Sequence, residues 1–160
     1  MSGSTVRSMA GDVTYQQEFI ASVRDEVWPL LRQDWEEIEH NKDLLPLDPN
    51  WDLYELLESQ GNFYIFTARD GSKLVGYFTV IVFPSMHSQK AILACNDVIY
   101  LDKDYRKGSV GTRLFKFTEK CLKEDGHKVL YITTTEKHPI DPLLERLGYT
   151  KIETKFEKVL

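Results

Sequence analysis

Tyr105-Arg106-Lys107-Gly108-Ser109-Val110-Gly111-Thr112-Arg113-Leu114 is the stretch on which the fold of this chain turns. Before it, Lys90–Leu101 is rich in Ile, Leu, Val and Ala and predicts a long strand. After it, Val110, Leu114, Phe117, Cys121 and Leu122 recur at helical spacing, which predicts an amphipathic helix from Gly108 to Asp125, closed by Gly126. The decapeptide is therefore a strand-to-helix turn. Its glycines let a ligand approach the backbone closely. The first N–H groups of a helix have no internal partner and carry partial positive charge. A phosphate satisfies both, and Arg106, Lys107 and Arg113 add charge of the right sign. No Gly-Lys-Ser/Thr follows at Walker spacing, and the G-x-G-x-x-G dinucleotide pattern is missing. Taken alone, the turn admits two readings: an anion cradle, or a glycine-relaxed connection with solvated bases.

The flanking sequence predicts a mixed sheet. Val13–Glu18 reads as a first strand, weakly patterned. Ser22–His40 is helical, with Val23, Val27, Leu30, Leu31, Trp35 and Ile38 on one face; Pro29 predicts a kink or two successive helices. Leu44–Pro49 is a loop, and Trp51–Glu58 a short helix capped by Asn50. Asn62–Arg69 and Lys73–Phe83 form a hairpin about Asp70-Gly71, and Pro84–Gln89 is a polar loop. Lys128–Thr134 predicts a further strand, Pro142–Leu147 a helix ended by Gly148, and Thr150–Leu160 a last strand by its alternation. A strand–helix–strand crossover implies a parallel pair within an otherwise antiparallel sheet. The class is α/β, mixed in the α+β sense, with helices on both faces of a single sheet.

Composition narrows the function. A chain of 160 residues fits one domain, here residues 13–160 after a loose N-terminus at 1–12. A net charge of −5 disfavours a nucleic-acid partner, because phosphate binding needs excess Lys and Arg. No apolar run approaches the ~18 residues of a membrane span. The polar start lacks a signal-peptide centre, so a cytoplasmic location is expected. Cys95 and Cys121 read as reduced, buried small hydrophobes, and His40, His87, His127 and His138 are too scattered to suggest a metal site.

The turn resembles the acyl-CoA signature [RQ]-x-x-G-x-[GA] of the GCN5-related N-acetyltransferase (GNAT) superfamily. Arg106 matches its first position and Gly111 its last, while Ser109 replaces the first glycine. Asp97–Leu101 looks like the end of the fourth strand of that fold, and Leu143-Leu144-Glu145-Arg146-Leu147-Gly148-Tyr149 like its C-terminal element. The likeness is closest to a phage-type subset, on Ser85-Met86-His87, Asn96-Asp97, Tyr105-Arg106-Lys107-Gly108 and the Leu-Glu-Arg-Leu-Gly-Tyr run. It implies a GNAT-like sheet whose fourth and fifth strands, Lys90–Leu101 and Lys128–Thr134, form a splayed parallel pair. It also implies acetyl-CoA as co-substrate, with no metal. The backbone of Ile99 and Leu101 would pair with the pantetheine arm. The amides of Lys107, Gly108, Ser109, Val110, Gly111 and Thr112, beside Arg106, would hold the pyrophosphate. Ser109 would cost affinity if its position needs positive φ.

Acetyl transfer to an amine needs the neutral amine, and an alkylamine pKa near 10.4 makes that form rare at pH 7. A general base is therefore expected. Asp97, an acid within an apolar strand, is the first candidate; the alternative is an Asp bonded to nearby amides at a bulge. His87 in its polar loop is the second. The family's usual acid, a Tyr four residues before the Gly of the C-terminal element, is Leu144 here. Tyr149 is the remaining candidate acid, with core packing its alternative.

Acids also cluster upstream: Asp34 to Glu58 holds nine acids and one base. Glu36 and Glu37, with Glu136 from the later loop, are candidates for attracting a cationic acceptor; a solvated helix face is the alternative. The expected activity is N-acetylation of a primary amine, on a small molecule or a protein, by direct attack. The rival is a catalytically idle acyl-CoA-binding module that engages a protein partner. A homodimer fits either, as does a host cytoplasm if the chain is phage-encoded.

Overall fold

A computed structural model describes residues 12–160, so the expected loose N-terminus falls almost wholly outside the described residues. The elements are β1 (Val13–Glu18), α1 (Ile20–Ile38), α2 (Trp51–Ser59), β2 (Phe63–Asp70), β3 (Lys73–Pro84), β4 (Ile92–Leu101), a 3-10 turn (Lys103–Tyr105), α3 (Val110–Glu124), β5 (Leu130–Tyr131) and α4 (Asp141–Arg146). The strands lie in the order β1-β2-β3-β4-β5. Neighbours are antiparallel except β4 and β5, which run parallel through Ala94↔Leu130 and Cys95↔Tyr131. This is the mixed α/β sheet expected, including its parallel pair.

Strand alternation distributes the core. Phe66, Ala68, Val75, Phe78, Val80, Val82 and Ala94 turn to one face and bury Val110, Leu114, Phe115 and Leu122 of α3, with α4 alongside. Phe63, Ile65, Leu74, Tyr77 and Tyr100 turn to the other and bury Ile20, Val23, Val27 and Leu30 of α1, with Trp51, Tyr54 and Leu57 of α2 at the edge. Arg69 clamps β1, β2 and α1 through Glu18 at 3.0 Å and Glu26 at 2.9 Å. Gly71, at φ 60°, makes the two-residue turn between the paired Asp70 and Lys73.

Three expectations change. First, α1 runs unbroken through Pro29. Proline removes one hydrogen bond, but the buried stripe Val23, Val27, Leu30 and Asp34 spans it and keeps the chain helical on both sides. Second, the strand expected over Lys128–Thr134 pairs only at Leu130–Tyr131, because β5 then leaves β4. Third, Thr150–Leu160 is exposed and joins no strand. Alternation makes a strand only where a ladder exists to join, and β5 is just two residues long. The tail is instead tied to the end of α1, where Glu157 bonds His40 at 3.0 Å and also accepts from Asn41. Both cysteines are free and half-buried.

Candidate active site

The site begins with a slip in register. Phe78 pairs with Ile99 and Val80 with Asn96, so Thr79 alone faces two residues of β4, Asp97 and Val98. This is a β-bulge, and it breaks the alternation of β4. Asp97 and Val98 consequently line the same cavity on the α1/α2 face, together with Tyr54, Phe63, Tyr77 and Thr79. The Thr79 hydroxyl closes the bulge by accepting from Val98 N–H at 2.9 Å. Asp97 stands at the mouth, open to solvent on one side, where its Oδ2 accepts the Tyr54 hydroxyl at 3.1 Å. Crowding by protein raises the Asp97 carboxyl above the usual range, and hydrogen bonds from Tyr54 and Thr79 partly offset this.

Past the bulge, β4 has an open edge. Asp102 N–H reaches Val75 O at 2.8 Å, so the alternate residues Ile99 and Leu101 direct their backbone groups away from β3. β5 does not cover them. In place of a ladder, the Asn96 side chain accepts from Thr133 N–H at 2.6 Å and donates to Thr133 O at 3.2 Å. One amide side chain thus holds the two strands while their backbones diverge.

The turn from Arg106 to Thr112 lies beyond this edge. Gly108 takes φ 119°, a conformation that side chains resist. Ser109 does not: its φ is −101°, so the expected cost of a serine there does not arise. Its hydroxyl accepts from Arg113 at 3.0 Å and caps no helix amide. The first intrahelical bond of α3 is Arg113 N–H to Ser109 O at 2.9 Å, which leaves the amides of Val110, Gly111 and Thr112 without an acceptor in the helix. Among the described residues, those of Lys107, Gly108 and Ser109 likewise reach no backbone carbonyl. Arg106 is committed elsewhere. Its Nε donates to Leu101 O at 2.7 Å, its two terminal nitrogens grip Glu37 at 3.0 and 3.1 Å, and its guanidinium lies 5.2 Å from the Tyr100 ring centroid. Arg106 therefore ties the turn to β4 and α1.

The remaining candidates do not converge. The Glu37 side chain is only 12% exposed and is shared by Arg106, Lys103 at 3.4 Å and His138 at 3.5 Å, an internal knot. Burial opposes ionisation of the Glu37 carboxyl, but Arg106 and Lys103 together outweigh it and hold that carboxyl below the usual range. Glu36 is exposed and pairs with Lys42 at 2.7 Å. Glu136 and His87 are exposed in their loops. Tyr149 lies on the α3/α4 face, edge-on to Phe115, and donates to Glu119 at 2.7 Å; burial and that carboxylate raise its pKa strongly. Leu144 packs in the same core. Other acids of the upstream cluster serve the fold: Glu58 accepts Ile20 N–H at 3.0 Å at the start of α1, and Glu55 pairs with Arg24 at 3.2 Å.

Sequence reasoning did not single out Tyr54 or Tyr77, took Asn96 only as part of the Asn96-Asp97 motif, and placed Asp34 only within the acidic segment that could attract a cation or form a solvated face. Only Asp34 carried a local signal, since it follows Val27 by seven residues and Leu31 by three, on the apolar face of α1. Among the described residues no cluster of His, Cys, Asp and Glu suits a metal ion, and no helix is long and apolar enough to cross a membrane.

The sequence model of the acetyltransferase (GNAT) family matches residues 21–149. Solved structures share the fold. One is an aminoglycoside acetyltransferase from an uncultured soil metagenomic sample, in complex with sisomicin, at TM-score 0.70 and 18% identity, covering 94% of this chain and 97% of that one. A second is glucosamine-6-phosphate N-acetyltransferase from Arabidopsis thaliana, at 0.69 and 14%, covering 92% and 97%. A third is a predicted acetyltransferase with acetyl-CoA from Clostridium acetobutylicum, at 0.68 and 11%, covering 92% and 96%. No curated protein matches the sequence.

Proposed function

This chain belongs to the acetyltransferase (GNAT) family, and from that premise we propose that it transfers the acetyl group of acetyl-CoA to a primary amine by direct attack. The observation that carries the reading is the bulge at Asp97–Val98. It sets a reachable carboxylate beside an open strand edge, with a set of unpaired amides beyond that edge.

The residues present suit acetyl-CoA. The amides from Lys107 to Thr112 are free to hold the pyrophosphate, and Gly108 shapes the loop without a side chain. Ile99 and Leu101 offer strand-like backbone groups to the pantetheine amides, although Leu101 O is already engaged by Arg106. The gap spanned by Asn96 leaves a passage between β4 and β5. When bound, acetyl-CoA supplies the activated acyl carbon.

Asp97 acts as the base. A primary amine arrives as its ammonium ion and gives one proton to the Asp97 carboxylate. The raised basicity of that carboxylate brings the two pKa values closer. The freed lone pair forms the N–C bond as the C–S bond breaks. The nitrogen then sheds a second proton and the thiolate takes one, giving an amide and a free thiol. A thiol pKa near 8.5 makes the thiolate a competent leaving group without a dedicated acid. This agrees with Leu144 and Tyr149 lying on the other face. The motifs that resemble a phage-type subset extend the proposal to a phage origin and action in the host cytoplasm.

Thiol release from acetyl-CoA, followed with propylamine, spermidine, an aminoglycoside and a lysine peptide, tests the proposal. Acetylated product from at least one amine is expected. Tight acetyl-CoA binding with no product from any amine would instead establish the idle binding module.

A further inference from the structure

Glu37 sits where a carboxylate is poorly placed. It lies in the last turn of α1, beside backbone carbonyls that no helical N–H satisfies and that carry partial negative charge. No basic residue of that turn compensates it, and its side chain is only 12% exposed. A buried charge persists only where partners meet it. Among the described residues, each cation that meets this one comes from outside α1. Arg106 reaches it with two N–H groups at 3.0 and 3.1 Å, Lys103 at 3.4 Å and His138 at 3.5 Å.

These three groups flank one passage. Lys103 and Arg106 stand at the entry of the turn whose amides from Lys107 to Thr112 reach no backbone carbonyl. His138 belongs to the loop that follows β5, on the far side of the β4/β5 gap. Its neighbour Lys137 donates to Glu39 O at 3.4 Å, a second tie from that loop to the end of α1. One turn before Glu37, on the same face of α1, Gln33 accepts the Tyr100 hydroxyl at 2.8 Å. The end of α1 thus fastens both sides of the gap. Arg106 is the stiff member. A two-pronged guanidinium–carboxylate pair fixes the plane of the guanidinium as well as its distance. Its Nε holds Leu101 O at 2.7 Å at the same time. These ties fix how the chain leaves Arg106 toward Gly108.

We propose that Glu37 is a positioning residue for the acetyl donor. Through Arg106 it sets the turn so that the amides converge on the pyrophosphate. Through His138 it holds the β5–α4 loop beside the passage taken by the pantetheine arm. It touches no reacting atom. The proposal rests on the transfer reading above in naming acetyl-CoA as the ligand. It also predicts a sign. Glu37 is a negative charge near an anion site, so charge alone says that removing it tightens donor binding. Positioning says that removing it loosens donor binding.

Calorimetric titration of the full chain with acetyl-CoA decides between the two. Glu37→Gln should raise Kd about tenfold, through lost preorganisation. Arg106→Lys keeps the charge but cannot grip Glu37 with two prongs while holding Leu101 O, and should raise Kd to a similar degree. The double variant should bind at most about threefold worse than either single one, because the pair acts as a unit. In turnover, KM for acetyl-CoA should rise while kcat changes less than about threefold. Amide NMR of glycine-labelled Glu37→Gln, with no ligand added, should show Gly108 and Gly111 shifted and the distant Gly61 and Gly126 in place. That pattern reports a folded chain with an altered turn. Unchanged or tighter acetyl-CoA binding in Glu37→Gln, or in Arg106→Lys if the former does not fold, overturns the proposal and leaves the transfer reading standing. Weakened binding with no acetylated product from any amine upholds the role of Glu37 and sinks the transfer reading. Absence of acetyl-CoA binding by wild type overturns both.

Discussion

Asp34→Asn should stabilise this protein at alkaline pH, although it alters a buried residue. In the folded chain the Asp34 carboxyl titrates at about 7, against an ordinary value of 3.8, because burial and the charges of Glu37 and Asp97 oppose ionisation more than Arg106 favours it. The groups facing it are Glu37 on its own helix, Arg106 at the turn, Tyr77 on β3, and Asp97 on β4. Between pH 4 and 7 the folded chain keeps a proton that the unfolded chain has released. Stability must therefore fall as pH rises through that window, and level off above it. The gap between about 7 and 3.8 corresponds to a loss of ~4 kcal/mol, to order of magnitude. Asparagine has nearly the same shape and never ionises. Wild type and Asp34→Asn should be nearly equal at pH 4. At pH 8 the variant should be the more stable by up to ~4 kcal/mol, or roughly 10 °C in Tm for a chain of this size. Urea unfolding at half-unit pH steps, without amine, measures the difference. A variant less stable than wild type at pH 8, or a difference independent of pH, would refute the reasoning, since either means that Asp34 is satisfied in the folded state.

Asp97→Asn should lower kcat/KM for the amine by about two to four orders of magnitude and remove the acid limb of the pH–rate profile, with little change in acetyl-CoA affinity measured by calorimetry. Ser109→Gly should leave acetyl-CoA affinity within about twofold, because φ −101° needs no glycine. Gly108→Val, forced to φ 119°, should cost about 1 kcal/mol or more in urea unfolding and weaken acetyl-CoA binding. Asn96→Ala removes both bonds to Thr133 and should raise KM for acetyl-CoA; hydrogen exchange at Thr133 should rise in parallel, and unchanged exchange would contradict its bridging role.

Much of the fold was legible because it rests on local patterns. The strands β1 to β4 and the helix α3 follow from alternation and helical spacing, and the hairpin from Asp70-Gly71. The anion-ready turn was legible for the same reason: a glycine-rich connection into an amphipathic helix leaves amides unpaired wherever it occurs. Pro29, the short β5 and the tail were misjudged because each depends on its neighbours. A buried stripe carries α1 past its proline, and a ladder two residues long gives Thr150–Leu160 nothing to join.

The site divides along the same line. The sequence by itself determined that an acid, Asp97, sits in an apolar strand ahead of that turn, and that acids abound in the segment before β2. Only the tertiary structure decided what those charges do. Nine acids in 25 residues look alike as a string, yet Glu37 is locked to Arg106, Glu58 caps α1, and Asp34 alone turns inward without a partner. Arg106 reads as a phosphate ligand in the sequence, and only the fold shows that a carboxylate from a helix about seventy residues earlier also meets it. Charge is a property of the residue, whereas its cost and its use depend on the dielectric and partners around it, and only chain packing supplies those.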